Sequence, residues 1–223
     1  MEQLQRNLKK LGILKTNPDG EFGPATFRAV RDFQQRYLVD GIATPEVQLA
    51  VENAVKAWAD LGIVPDHIPH GKAEIQEAYG SFTCKPDHEN KWGKGAWVIV
   101  DDEWVAKYLI EVNLPVVGDK KVNKGVAYDL KHILTLVAQR GLDQHIKQFG
   151  CWAPRHKMHN RKNGLSVHTW AAAVDINQSE NPVGSGHGKI DPGIVEIFEA
   201  YGWEWGGRWR TSDPMHFQRC TGY

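Results

Sequence analysis

The stretch Ser166-Val-His168-Thr-Trp-Ala-Ala-Ala-Val-Asp175 decides the fold, together with Asp213-Pro-Met-His216-Phe-Gln218 further along the chain. Apolar and β-branched residues surround Asp175 and predict a core strand, where an ionised carboxylate is costly to bury unless it is paired or bound to a metal. Alternation along a second strand turns His216 away from its two apolar neighbours. His168 comes from the loop before the first strand and can fold back over the same face, so two imidazoles and one carboxylate can meet.

This donor set suits a zinc ion with an open coordination position. Three protein ligands of the N,N,O type plus one water are typical of catalytic zinc sites. Such a site needs a base beside the water. Asp213 is a candidate, because Pro214 extends and bends the chain before His216 and can bring the carboxylate beside the ion without making it a fourth ligand.

Composition narrows the class of protein. A chain of 223 residues has room for one large domain and a small satellite, and its 41% hydrophobic and 24% charged residues are close to globular averages. Lys+Arg and Asp+Glu are both 27, and this balance argues against nucleic acid as the main partner. Three separated cysteines without a Cys-x-x-Cys motif predict free thiols. No apolar run is long enough to span a membrane.

Residues 1–58 are predicted to form a small helical module. Leu4, Leu8 and Leu11 recur at helical spacing, and the pairs Asp19-Gly20 and Asp40-Gly41 predict turns between helices. A segment of this length makes a marginal core, which indicates an accessory module rather than an enzyme.

This segment resembles the peptidoglycan-binding module common on cell-wall hydrolases. The motifs that carry the resemblance are Leu4-Gln5, Leu8, Leu11-Gly12, Asp19-Gly20-x-Phe22-Gly23-Pro24-x-Thr26, Ala29-Val30, Phe33-Gln34 and Asp40-Gly41. It implies a three-helix fold that docks the protein on bacterial peptidoglycan. A generic helical cap that stabilises the larger domain is the alternative.

The remainder is predicted as a linker and an α+β domain. Residues 59–80 are rich in glycine and proline, which favours a linker and entry segment. Residues 81–223 are expected to form an α+β domain with a small central antiparallel sheet. Its predicted elements are a buried strand at 96–100, a strand end at 116–117, a helix at 127–141, a strand at 144–152 and a helix that begins at Asp191-Pro192.

The second domain resembles the zinc D-alanyl-D-alanine carboxypeptidase family of cell-wall peptidases, which includes VanY-like enzymes and several phage endolysins. The family's motifs are matched in order at Ser166, His168, Ala173, Asp175, Asp213 and His216. One position departs from the family pattern, because Ala171 stands where the family usually has glycine. The added methyl puts the local backbone geometry in doubt and leaves ligation intact.

The resemblance implies that His168, Asp175 and His216 hold one Zn²⁺ and that Asp213 is the general base. It also implies an upstream arginine that stabilises the oxyanion, for which Arg155 is the best match. Ser166 is either a substrate contact or a residue that orders the loop.

Several residues compete for these roles. Glu204 is the rival base, although a Trp-Glu-Trp strand would more simply turn its carboxylate toward solvent. His156 and His159 have a spacing that suits metal ligands, but the basic residues around them favour a solvated loop. Three nearby aromatic residues are expected in the core more than as a platform for sugars, namely Trp203, Trp205 and Trp209.

The sequence therefore predicts a zinc-dependent peptidoglycan peptidase, and specifically a phage endolysin that cuts an internal bond such as L-alanyl-D-glutamate. The alternatives are a bacterial D-alanyl-D-alanine carboxypeptidase and a non-catalytic cell-wall-binding protein with a structural metal site. The first residues show no apolar signal segment. We therefore expect a protein that is made in the host cytoplasm and acts at the bacterial cell wall. We also expect a monomer that does not insert into membranes.

Overall fold

The computed structural model describes residues 1–11, 13–22, 25–26, 29–30, 33, 68–89 and 96–223. The chain divides into two compact units, Met1–His67 and Ile68–Tyr223. All three cysteines are free thiols, as the sequence predicts. Within the described ranges, none of the helices has both the length and the apolar character that a membrane span requires.

The first unit begins with helix α1 (Glu2–Lys10), whose Leu4 and Leu8 are buried, as the leucine spacing predicts. Residues 25–26, 29–30 and 33 are also helical, and Ala29, Val30 and Phe33 are buried. The rest of the predicted three-helix module, including the Asp40-Gly41 turn, lies outside the described residues.

The side chain of Gln5 joins α1 to the turn that follows it. Its amide nitrogen donates to Asp19 Oδ1 at 2.7 Å and to Thr26 Oγ1 at 2.8 Å, and its amide oxygen accepts from the backbone N–H of Gly20 at 2.8 Å. Gly20 has a φ of 82°, a left-handed conformation that glycine adopts without strain. The Asp-Gly turn predicted from sequence is therefore held from inside by one buried glutamine.

The second unit is α+β with small antiparallel sheets, which confirms that part of the predicted fold class. In the described part of this unit the strands form three antiparallel sheets. The largest has four strands, in the order Phe149–Gly150, Ala173–Ile176, His216–Gln218 and Glu204–Trp205. The helices of this unit are α2 (Gly71–Tyr79), α3 (Asp102–Tyr108), α4 (Lys124–Gln139) and α5 (Pro192–Ala200). The strands are β1 (Cys84–Pro86), β2 (Val98–Val100), β3 (Leu109–Leu114), β4 (Gly118–Asn123), β5 (Phe149–Gly150), β6 (Ala173–Ile176), β7 (Glu204–Trp205) and β8 (His216–Gln218).

Helix α4 forms the centre of the core because its apolar residues recur at helical spacing. Its N-cap, Asn123, is 1% exposed and accepts from the backbone N–H of Gly125 at 2.9 Å. The same amide donates to the carbonyl oxygens of Tyr79 at 3.2 Å and Trp170 at 3.1 Å. The Asn123 side chain therefore links the end of α2, the start of α4 and the turn that carries His168.

Helix α5 covers the four-stranded sheet. It begins as predicted, since the side chain of Asp191 accepts from the backbone N–H of Gly193 and Pro192 occupies the first helical position. Its Phe198 lies with its ring centre 4.5 Å from that of Phe217 on β8. The opposite face of β8 is thereby left to carry His216.

Part of the predicted linker, residues 68–80, contains α2. Ile75 and Tyr79 on this helix are buried in the core of the second unit. The hydroxyl of Tyr79 donates to the carbonyl oxygen of Arg219 at 2.6 Å. Residues 59–67 lie outside the described residues.

Two strand predictions are wrong. Residues 144–152 contain a short 3₁₀ turn (Asp143–His145) and only the two-residue strand β5, because the edge of the sheet pairs for just two residues. Residues 115–117 form the turn of the hairpin between β3 and β4 rather than a strand end. Glu111 interrupts the apolar residues of β3, and Asp119, Lys120 and Lys121 follow one another in β4, which conceals the hairpin from a search for apolar runs.

Candidate metal centre

The site is built on two paired strands and the turn before them. Asp175 on β6 lies directly opposite His216 on β8 in the antiparallel register, so both side chains lie on one face of the sheet. His168 lies in a 3₁₀ turn (Val167–Trp170) that ends where β6 begins, and the Ser166 hydroxyl accepts from the backbone N–H of His168 at 3.4 Å. All three predicted ligands are brought together.

Three donor atoms form a small triangle. His168 Nε2 lies 3.0 Å from Asp175 Oδ1 and 3.1 Å from His216 Nδ1, and His216 Nδ1 lies 3.0 Å from Asp175 Oδ1. Ligands around a tetrahedral zinc with bonds of about 2.0 Å lie roughly 3.3 Å apart. The observed separations are close to that geometry.

In each imidazole one ring nitrogen, the inner one, belongs to the triangle, and the other, the outer one, has a hydrogen-bond partner outside it. That outer hydrogen bond fixes which nitrogen carries the proton. His168 Nδ1 lies 2.6 Å from the carbonyl oxygen of Cys151, which can only accept, so Nδ1 carries the proton and Nε2 presents a lone pair. His216 Nε2 lies 3.2 Å from Gln218 Oε1 and donates to it, which leaves the lone pair on Nδ1. Both histidines therefore turn a lone pair toward Asp175.

These side chains fit a bound cation. His168, Asp175 and His216 are 1%, 9% and 6% exposed, and three electron-rich atoms so close together repel one another unless a positive charge lies among them. Two neutral imidazole nitrogens and one carboxylate oxygen, each imidazole bonded on its outer nitrogen, are the donors and supports typical of zinc. Among the described residues, they form the one group of His, Cys, Asp or Glu side chains able to hold a metal ion.

The pKa values of Asp175 and His216 are shifted by their contacts with one another. Burial alone would raise the pKa of Asp175, but the imidazoles of His168 and His216 hold it well below its ordinary value. Burial alone would lower the pKa of His216, but the hydrogen bond to Asp175 and the charge of that carboxylate raise it. The centre is therefore arranged to hold a positive charge between these side chains.

Asp213 lies beside this centre. Burial raises the pKa of its carboxyl group, although the neighbouring His216 opposes the shift. The bend predicted at Pro214 is present, since the backbone N–H of His216 donates to the carbonyl oxygen of Asp213 at 3.1 Å. Among the described residues, Asp213 Oδ1 is buried without a hydrogen-bond partner. A carboxylate oxygen is thus left free to accept a proton.

Arg155 is tied by its backbone to the turn that carries His168. Its backbone N–H donates to Thr169 Oγ1 at 3.1 Å, and its carbonyl oxygen accepts from the backbone N–H of Ser166 at 2.8 Å. No salt bridge to a carboxylate engages its guanidinium within the described part of the chain. Its Nη1 donates to the carbonyl oxygen of His156 at 3.5 Å, a long hydrogen bond that leaves its other donors to a ligand.

A cleft of about 260 Å³ exposes these groups to solvent. Arg155, Asp213 and His216 all line it, and Ser166 lies in its wall although only 5% exposed. Ser166 therefore orders the turn, which is one of the two roles that the sequence left open, and the other role, contact with a substrate, stays a prediction. Three further lining residues extend the wall, namely Lys157, Trp209 and Tyr223.

The competing candidates do not join the ligand triangle, although His159 lines the cleft. His156 Nδ1 bonds to the carbonyl oxygen of Asn163 at 2.7 Å, and His159 is exposed beside Trp97, so neither joins the metal group. Glu204 is neither a cleft residue nor turned fully to solvent, because its Oε2 accepts from Gln218 Nε2 at 2.9 Å. The prediction of Glu204 as a solvent-facing residue is therefore wrong.

Two of the three aromatic residues near the end of the chain belong to the core, as predicted. Trp203 and Trp205 are buried, and Trp205 donates to the carbonyl oxygen of Pro214 at 2.8 Å. Trp209 instead is half-buried in the cleft, with its ring centre 5.3 Å from that of His216.

Ala171, the departure from the family pattern, has a φ of 52° and a ψ of 33°. This left-handed conformation explains why glycine is usual there, since a side chain costs roughly 1–2 kcal/mol in it. The turn is nevertheless closed, because the backbone N–H of Ala171 donates to the carbonyl oxygen of His168 at 3.0 Å. The strain is local and the ligand triangle is formed.

Sequence reasoning did not identify the groups that bond to the outer nitrogens of the two imidazoles. The Cys151 carbonyl is a backbone atom and has no signature in sequence. Gln218 follows His216 by two residues and so lies on the same side of β8, which strand alternation predicts once His216 is recognised as a ligand.

Two stretches of the chain match models of known families. Residues 159–219 match the family model described as D-alanyl-D-alanine carboxypeptidase. Residues 1–58 match the model described as a putative peptidoglycan binding domain. No curated protein and no solved structure matches the chain. Both resemblances drawn from the sequence are confirmed, and the matched residues include His168, Asp175, Asp213 and His216 but not Arg155.

Proposed function

We propose that this chain is a zinc-dependent peptidase that hydrolyses a peptide bond in the stem peptides of peptidoglycan. One observation carries the proposal: His216, which belongs to the triangle of donor atoms, lines one cleft together with Arg155 and with Asp213, whose Oδ1 has no hydrogen-bond partner in the described structure. A structural metal site would need neither a base nor a cation beside it. The family matches support a peptidase that acts on peptidoglycan.

His168, Asp175 and His216 would hold the zinc, which when bound acidifies a water molecule and polarises the scissile carbonyl. Asp213 would accept a proton from the attacking water and deliver it to the leaving amine. Its raised pKa suits both steps, because a carboxyl group that is too acidic would not return the proton. Arg155 would neutralise the negative charge that develops on the carbonyl oxygen.

The charge of the cleft favours an acidic peptide. Arg155 and Lys157 both line it, and burial lowers the pKa of Lys157, so pairing with an anionic group would be favourable. Stem peptides carry free carboxylates. Trp209 and Tyr223 add apolar surface to the same wall.

We further propose an endolysin-type endopeptidase that cuts an internal bond such as L-alanyl-D-glutamate. The first unit would hold the enzyme on the wall, since its residues match a peptidoglycan-binding domain. Cutting internal bonds breaks the cross-linked network on which the enzyme is anchored, whereas removing a terminal residue does not.

Mass spectrometry of peptides released from purified cell walls tests the proposal. We expect new amino groups to appear, and to be abolished by a chelator and by Asp175→Ala but not by Asp143→Ala at an exposed aspartate. New amino-terminal glutamate supports the internal cut, and release of free alanine instead contradicts it in favour of a carboxypeptidase. Binding to walls without any new amino group contradicts the peptidase.

A further inference from the structure

Glu204 and Gln218 lie beside His216 in the four-stranded sheet, and Gln218 also lines the cleft. They are directly opposite each other in the antiparallel pairing of β7 and β8. Gln218 Nε2 donates to Glu204 Oε2 at 2.9 Å, and Gln218 Oε1 lies 3.2 Å from His216 Nε2. A continuous line of contacts therefore runs from Glu204 to a ligand.

The orientation of the Gln218 amide follows from its neighbours. Its NH₂ group lies between two groups that can only accept, the Glu204 carboxylate and the carbonyl oxygen of Cys220 at 3.4 Å. A reversed amide would place its oxygen against both acceptors and its hydrogens against His216. Gln218 is 2% exposed, so water cannot compensate for that repulsion.

The two imidazoles are oriented by different means. For His168 the partner is the backbone carbonyl of Cys151, whose direction is fixed by the chain. For His216 the partner is a side-chain amide, which can present either its oxygen or its nitrogen. Only the oxygen favours the tautomer with a proton on Nε2 and a lone pair on Nδ1, where the triangle of donor atoms lies.

We infer that Glu204 is a positioning residue, which holds the Gln218 amide and through it keeps His216 Nδ1 free to bind the metal. The inference rests on the proposed metal centre. It gives Glu204 a role other than base or surface acid. Partners of this kind behind a ligand typically contribute about 10- to 100-fold to metal affinity.

Metal affinity is the first test, measured as zinc binding in competition with a chelator at fixed pH. We expect Glu204→Leu to weaken zinc binding about 10- to 100-fold. Glu204→Gln should restore most of it, because an amide oxygen still accepts from Gln218. Glu199→Leu is the matched control, since Glu199 is also half-buried but pairs with Arg208, and it should leave the affinity unchanged.

Two further measurements keep the inference testable if Glu204→Leu does not fold. Gln218→Met keeps the side-chain volume and removes the acceptor for His216, so it should lower zinc affinity to a similar extent. Imidazole nitrogen chemical shifts of the metal-free, unmutated protein at alkaline pH should show His216 protonated on Nε2.

The results separate the two proposals. If the unmutated protein binds no zinc, the proposed function fails. If it binds zinc while Glu204→Leu and Gln218→Met both bind it within about threefold of that affinity, or if His216 carries its proton on Nδ1, the positioning role is wrong and the metal centre stands.

Discussion

Asp175 and Asp213 suit different chemical roles because their surroundings differ. Asp175 lies between two imidazoles and is held ionised, whereas Asp213 has a carboxylate oxygen without a partner in the described structure and a raised pKa. The first suits a ligand and the second suits a proton carrier. Glu204, the other acid considered, is engaged by Gln218.

Asp213→Asn tests this division of roles. Because an amide cannot accept the proton, we expect the rate of peptide hydrolysis to fall about 10²- to 10⁴-fold. Zinc affinity should change little, since Asp213 is outside the ligand triangle. Asp143→Asn at an exposed site serves as the control. A variant that keeps its rate, or loses its metal, would remove Asp213 from the proposed role.

At this scale, motif spacing predicted the convergence of His168, Asp175 and His216 because strand alternation fixes which side chains share a face. It did not predict the support behind them. The contact of Glu204 with Gln218 depends on the register between β7 and β8, and that register is set by long-range packing.

At the scale of secondary-structure elements, Asn123 connects three segments of the second unit. This buried side chain caps α4 and donates to two carbonyl oxygens, one at the end of α2 and one in the turn that carries His168. Without this side chain α4 would lose its cap and the carbonyl oxygen of Trp170 would lose its donor, whereas the carbonyl oxygen of Tyr79 would still accept from Trp104 Nε1 at 3.1 Å. The first two losses add together, so the site depends on Asn123.

We expect Asn123→Ala to lower the unfolding free energy of the second unit by about 2–4 kcal/mol. Denaturant unfolding followed by tryptophan fluorescence measures this. Asn113→Ala is the matched control, because Asn113 is exposed and pairs only with Asp119 on the hairpin, and it should be nearly neutral. Equal effects of the two substitutions would contradict the importance of this junction.

Two helices of the second unit were predicted, whereas α2 lies within the predicted linker and α3 was not predicted. The helix at 124–139 and the start of α5 follow from periodicity and capping residues, which are local signals. The hairpin of β3 and β4 was missed because its strands carry Glu111, Lys120 and Lys121 on faces that are only partly buried. Strand β5 is too short to leave any pattern.

In the molecule as a whole, the two units are expected to divide binding from catalysis. The first unit has a buried hydrogen-bond centre at Gln5, and the second contains the complete metal group. Because each has its own core, damage to one should leave the other's activity measurable.

Gln5→Leu tests that division. It removes the hydrogen bonds of Gln5 with Asp19, Gly20 and Thr26, each worth about 0.5–1.5 kcal/mol, so we expect a loss of roughly 2 kcal/mol in a small module and weaker binding to cell walls. Hydrolysis of a soluble stem peptide should be unchanged. Gln3→Leu, at an exposed position of α1, should preserve wall binding. Loss of soluble-peptide hydrolysis in Gln5→Leu would contradict the independence of the units.

The central claim is that His168, Asp175 and His216 hold one zinc ion that peptide hydrolysis requires. Calorimetric zinc titration of the metal-free protein tests it most directly, run beside Asp175→Ala. We predict one site per chain in the unmutated protein, no such site in Asp175→Ala, and recovery of hydrolysis in proportion to the zinc bound. Tight zinc binding that survives Asp175→Ala, or hydrolysis that proceeds in the metal-free protein, would contradict the claim.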